Sequence, residues 1–109
     1  MTDAYYELTD DADPIGARFV ASDHVISTWG AEMQNAAPVS ALLVRALERC
    51  APRADARLSR VVVDLLGPVP VAGPLWMRAE VRRPGTKIEL VEAVMLALGP
   101  GGTPRPVAE

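Results

Sequence analysis

The chain has 109 residues, half of them hydrophobic, with a net charge of −3 and one cysteine. That length fits one domain with a core of its own, not two. An acidic balance without a block of Lys or Arg argues against nucleic acid as a partner, because phosphates need clustered cations. The lone Cys50 forbids an internal disulfide and suits a reducing cytoplasm, and no apolar run reaches the roughly 20 residues of a membrane span.

Residues 1–16, opening MTDAYYELTDDAD, read as an acidic, loosely docked lead-in. They lack the basic-then-apolar order of a signal peptide, and Asp10, Asp11 and Asp13 ahead of Pro14 do not suit a core. The domain proper is expected over 17–109. From 17 to 28 the segment ARFVASDHVIST is β-prone, with Phe19, Ala21 and Val25 on one face. The polar break Ser22-Asp23-His24 implies a bulge, a bend or a strand reaching the surface. Trp29-Gly30 ends this element, and a short loop leads on.

A helix is expected over about 36–51. Leu43, Leu47 and Cys50 follow the i, i+4, i+7 rule, and Leu42 and Ala46 widen the stripe. Arg45, Glu48 and Arg49 fall late, so the first half should be buried and the end exposed. Arg45 and Arg49 also suit the negative end of the helix dipole, and Pro52 stops the helix.

Beyond it the period changes. LSRVVVDLL, within 57–66, reads as a strand with Val61, Val63 and Leu65 on one face. GPVPVAGP is a stiff turn or edge segment, since each proline removes a ladder donor. Over 74–83, Leu75, Met77, Ala79 and Val81 alternate with Trp76, Arg78, Glu80 and Arg82. Pro84-Gly85 signals a hairpin. Over 86–98, Ile88, Leu90, Val94 and Leu96 share one face, while Val91, Ala93, Met95 and Ala97 make the other apolar too, so both should be covered. The tail holds a glycine-rich turn and stops where another strand could begin. One buried helix and one antiparallel sheet make an α+β two-layer fold.

Little chemistry is visible by elimination. His24 and Cys50 have no partners at ligand spacing, so no metal is expected. No phosphate-binding or dinucleotide fingerprint occurs, so no cofactor is expected, and Ser40 lies within the helix rather than on a nucleophile elbow. Asp64 reads as a solvent-facing carboxylate before a general base, and His24 as a surface residue before a proton carrier. Trp29 and Trp76 could line an apolar channel, Trp76 equally an interface.

The helix entrance, QNAAP from 34 to 38, is the remaining place for chemistry. The first N–H groups of a helix lack internal acceptors and suit an oxygen that gains charge. Ala36 and Ala37 are small enough for a ligand to approach their backbone. Asn35 as N-cap could accept from Ala37, and Gln34 could orient water or ligand. The plainer reading makes Asn35 a cap and the alanines packing.

STWGAEMQNAAPVSALLVRALERC, followed by RLSRVVVDLLGPVPVAGPLWMRAEVRRPGTKIELVEAVML, resembles the N-terminal half of acyl-CoA thioesterases of the double hot dog type, particularly their bacterial branch. The resemblance spans about 17–109 and implies an antiparallel sheet wrapped around a long central helix. It implies pairing with a second hot dog unit, through a continuation of the chain or a second copy, and acyl-CoA-type thioester substrates. Many relatives carry Gln-His-Gly-Gly-Pro at the helix entrance. Gln34 and Pro38 match it, Asn35 replaces the histidine, and Ala36 and Ala37 replace the glycines. The resemblance further implies that the better-known catalytic Asp, Thr and Gln belong to the second unit, and that this unit is incomplete at its C-terminal end. Two functions follow as expectations. One is a thioesterase in which Gln34 and Asn35 act catalytically while Ala36, Ala37 and Trp29 bind substrate. The other is a non-catalytic hot dog module that binds acyl groups or supports a catalytic partner.

Overall fold

A computed structural model describes residues 4–109, so the first three residues of the expected lead-in lie outside it. Five strands form one antiparallel sheet in the order β1 (Tyr6–Asp10), β2 (Ala17–Ala21), β5 (Pro74–Arg83), β6 (Leu90–Leu98) and β7 (Pro104–Ala108). A two-stranded ribbon, β3 (Ile26–Ser27) with β4 (Gly30–Gln34), leads into helix α1 (Ala36–Arg49). The helix lies against β5 and β6. This is the α+β hot dog arrangement expected from the sequence.

Helical and strand periods meet in one core. Val39, Leu42 and Leu43 of α1 pack with Phe19, Leu75, Met77, Ala93, Met95, Ala97 and Val107. Those strand residues alternate along β2, β5 and β6, so each strand gives one face to the helix. Leu47 is half-buried, and Arg45 stands over the Phe19 ring, 5.5 Å from its centroid. The helix ends at Arg49, with Cys50 as its cap, and Ala51 takes a positive φ of 45° before Pro52.

Several sequence expectations change. The lead-in is not loose at its centre: Tyr6, Glu7 and Leu8 pair with Ala21, Val20 and Phe19. Acidic residues do not prevent this, because they sit on an edge strand that faces water. The loop expected after Trp29 is strand β4. The polar break is a short 3-10 turn, Asp23–Val25, whose N-cap Ser22 accepts from the His24 N–H. The strand expected over 57–66 pairs only at its end. Asp64 and Glu109 exchange both backbone bonds, at 2.7 and 3.0 Å, and the Leu66 N–H donates to the Val107 carbonyl. Residues 57–63 pair with no strand among the described residues.

The outer sheet face, away from the helix, is covered unevenly. Trp76 and Leu96 are buried, Val94 is half-buried, and Leu90 and Ile88 are exposed. Trp76 sits in register between Arg18 and Leu96. Trp76, open in the sequence to a channel or an interface, is therefore sealed within the chain. The β1–β2 connection helps, since the Arg78 guanidinium bonds the Ile15 carbonyl. At Gly16 a Cβ would stand 2.6 Å from the Met77 carbonyl oxygen, so only glycine fits that approach. β6 begins at Leu90 rather than near 86, because the turn after Pro84 is wide. Arg53 ties that turn to the end of the helix. Its guanidinium donates to the Gly85 carbonyl at 2.8 Å and pairs with Asp55 and Glu89. Hydrogen bonding and charge from Arg53 hold the Asp55 carboxyl below the usual range. The glycine-rich turn of the tail forms with Gly101 and Gly102 at positive φ, and β7 follows it.

Candidate functional site

The start of α1 is held from three sides. The Asn35 N–H donates to the Val25 carbonyl at 2.7 Å, and the Gln34 N–H to the Val69 carbonyl at 2.8 Å. Along the same edge of β4 the Val71 N–H donates to the Glu32 carbonyl, and Met33 bridges Pro70. The proline-rich segment at 67–72 thus serves as a strut for the strand that feeds the helix.

Below this strut lies Gln34, 8% exposed. Its side-chain Nε2 donates to the Pro70 carbonyl at 2.7 Å, and its Oε1 accepts from the Tyr6 hydroxyl at 2.6 Å. A buried amide of this kind is committed inside the fold, and its contacts fix where Asn35 and the first helical turn sit. Burial pushes the Tyr6 phenol far above its ordinary value of 10.0, because the phenolate would lose its hydration. Tyr6 is the functional neighbour that sequence reading missed. It lies 28 residues from Gln34 and within a segment taken for a lead-in.

Asn35, Ala36 and Ala37 are exposed. Asn35 occupies the N-cap with φ −68° and ψ 144°, but its side chain makes no capping bond. The expected bond from the Ala37 N–H is therefore absent. The N–H groups of Ala36 and Ala37 have no acceptor among the described residues, and Pro38 has none to offer. Ser40 is turned the other way, its hydroxyl donating to the Ala36 carbonyl at 2.9 Å. The first turn therefore presents two unpaired donors and a free amide to solvent, at the positive end of a 14-residue helix.

Gln34, Asn35, Ala36 and Ala37 are contiguous there, with Gln34 facing inward and the other three outward. Trp29 stands apart at the tip of the β3–β4 ribbon, 89% exposed, with its backbone N–H donating to the Ser27 hydroxyl. An indole so exposed walls no closed pocket within this chain. Asp64 is exposed and belongs to a different place, a groove of about 340 Å³ lined by Leu43, Leu47, Val61, Val63, Leu90 and Ala93 among others. His24 is exposed at the 3-10 turn, its ring edge-on to Tyr5. Among the described residues no cluster of His, Cys, Asp and Glu could hold a metal ion. None of the helices among them is long and apolar enough to cross a membrane.

A family model described as the acyl-CoA thioesterase N-terminal domain matches residues 25–108. The match takes in the ribbon, the helix entrance, the helix and the strands after it, and leaves β1 and β2 outside. No curated protein and no solved structure matches the chain significantly.

Proposed function

Because this chain belongs to the acyl-CoA thioesterase N-terminal domain family, we propose that it acts on acyl-CoA-type thioesters, with the start of α1 as the place where the thioester carbonyl is received. The observation that carries this reading is the pair of unpaired N–H groups at Ala36 and Ala37, exposed at a helix N-terminus. A thioester oxygen gains negative charge as its carbon is attacked. Fixed donors aimed at that oxygen lower the barrier without having to reorganise. Asn35, free of any capping duty, adds a side-chain amide that can bond water or substrate. Gln34 holds this geometry from below, through Tyr6 and Pro70. The apolar groove beside Leu43 and Leu47 offers one wall for an acyl chain, and a second hot dog unit completes the pocket with Trp29 at the seam. We place the protein in the cytoplasm, where the free thiol of Cys50 is at home. Nucleic acid, membrane, metal and cofactor have no part in this reading.

One observation favours the rival, a non-catalytic module that binds acyl groups or supports a catalytic partner. The titratable group bonded into the entrance is Tyr6, and its phenol is pushed away from neutral pH rather than toward it. A general base would then come from the partner unit. A panel of acyl-CoA substrates with thiol detection separates the two readings. In the catalytic reading Ala37→Val lowers the rate on the order of 100-fold, the effect of losing one oxyanion donor. Circular dichroism should stay native, since Ala37 is exposed. A folded Ala37→Val protein with undiminished hydrolysis removes the oxyanion role. Acyl-CoA binding without turnover establishes the rival.

A further inference from the structure

One flank of α1 begins at the helix entrance and ends in the apolar groove. At about 100° per residue, Ala36, Ser40, Leu43 and Leu47 fall within about 60° of one another around the helix axis. They sit on the border of its buried face, since Val39, Leu42 and Ala46 lie to the other side of Leu43 and pack into the core. Exposure along the flank is graded. Ala36 is exposed, Ser40 and Leu47 are half-buried, and Leu43 is buried. Ser40 offers this flank no free donor, because its hydroxyl donates to the Ala36 carbonyl at 2.9 Å.

The chain supplies a second wall. Val61, Val62 and Val63 line the groove together with Leu43 and Leu47. The segment that follows them returns to the helix entrance. There the Val69 carbonyl accepts from the Gln34 N–H, and the Pro70 carbonyl from the Gln34 side chain. Residues 61–70 thus accompany α1 from the level of Leu47 back to its start. Leu65 and Leu66, between those two ends, are 52% and 53% exposed. Apolar side chains left uncovered along such a path suit an apolar ligand. The far end of the groove is different in kind. Arg82 and Glu92 line it there, close to the turn that Arg53 ties to the end of the helix.

We propose that this flank measures the acyl chain, and that Leu47 is the specificity-determining residue that selects saturated chains of about twelve carbons. The length follows from helix geometry. At a rise of about 1.5 Å per residue, Leu43 stands about 10 Å and Leu47 about 16 Å beyond Ala36 along the axis. An extended acyl chain advances about 1.3 Å per carbon, as a zigzag of single bonds of about 1.5 Å does. From a carbonyl held at Ala36, about nine carbons reach Leu43 and about thirteen reach Leu47. Up to that point each added methylene leaves water for an apolar wall and tightens binding by up to about fourfold. Beyond it, further methylenes would have to take water from Arg82 and Glu92, which opposes binding.

The inference rests on the proposed reading of the helix entrance as the acyl-thioester site, and its test is kept apart from catalysis. The probes are S-octyl-, S-dodecyl- and S-hexadecyl-CoA thioethers, which have no carbonyl to hydrolyse, titrated calorimetrically into the full chain. S-dodecyl-CoA should bind at least about tenfold more tightly than S-octyl-CoA, and S-hexadecyl-CoA no more tightly than S-dodecyl-CoA. Leu47→Trp should fill the far half of the groove and bring the octyl and dodecyl affinities to within about threefold of each other. Leu47→Ala should carry the gain onward to the hexadecyl probe. Each comparison is a ratio within one preparation, so partial unfolding of a variant cancels. The acyl-CoA thioesters of the same lengths, followed by thiol release, should rank in the same order where turnover occurs. Length-dependent binding without turnover supports the ruler and removes the catalytic reading. Binding that is flat across the three lengths, or whose length dependence Leu47→Trp leaves in place, overturns the ruler alone. Failure of every probe to bind overturns the proposed function and the ruler with it.

Discussion

Gln34 is the place where one atom's removal says most about how the helix entrance is built. Tyr6→Phe deletes the hydroxyl that donates to Gln34 Oε1 at 2.6 Å and leaves a buried acceptor unpaired, a loss of about 1–2 kcal/mol. Gln34→Met keeps the length and apolar volume of the side chain but strands two groups, the Tyr6 hydroxyl and the Pro70 carbonyl. That loss should be about 2–4 kcal/mol. In the double variant the hydroxyl and its acceptor are both gone, and only the Pro70 carbonyl is left without its partner. The double loss should therefore fall short of the sum of the single losses by about 2–4 kcal/mol, the cost of the two stranded groups that the double variant no longer has. Urea unfolding followed by circular dichroism at pH 7 measures all three. If the two losses add to within about 0.3 kcal/mol, the bond does not couple β1 to the helix entrance, and Gln34 is not braced as described.

Three further outcomes follow from the same geometry. Leu43 is only 2% exposed at the centre of the helix–sheet contact, so Leu43→Ala should lower stability by about 2–5 kcal/mol in the same unfolding assay. Asn35 makes no capping bond, so Asn35→Ala should cost well under the ~1 kcal/mol of a working cap; a full cap's loss would show that the side chain bonds Ala37 after all. The Tyr6 phenol has its folded pKa raised above its unfolded value, so its share of stability is complete below about pH 10 and declines as pH rises toward the folded value. Denaturant midpoints measured from pH 8 to 12 should fall at the alkaline end, and Tyr6→Phe should flatten that fall.

What could be read in the sequence was what repeats along it. The helix carries its stripe at 3.6-residue spacing, and β5 alternates over ten residues, so both elements were legible, but of the face read for β5 only Leu75 and Met77 are buried, while Ala79 is exposed and Trp76 is buried on the other face. The strand β4 was not, because GAEMQ has no apolar alternation; it is a strand through the backbone bonds it makes to 69–71 and to β3. β1 looked like an acidic tail because Tyr6 and Leu8 alternate over too few residues to stand out beside Asp10, Asp11 and Asp13. Residues 57–66 show the converse error, since a strong β pattern fixes a preference but supplies no neighbour. At the site, Gln34 and Asn35 stood out by residue type. Their opposite fates, one sealed and one open, depend on Tyr6 and Pro70, contacts 28 and 36 residues away that no local pattern announces.

The sheet order also sets the path by which the chain acquires its structure. β1–β2, β5–β6 and β6–β7 join neighbours in the chain, but β2–β5 joins segments about 50 residues apart, with the ribbon and the helix in between. Closing a loop of about 50 residues carries an entropic cost of roughly 3.5 kcal/mol, before any contact across it returns energy. The hairpins and the helix can flicker in and out early, while the meeting of Phe19 with Leu75 waits for that closure. The rate-limiting step then lies at this seam. Truncating Phe19 or Leu75 slows folding, whereas truncating Val107 at the far edge chiefly hastens unfolding.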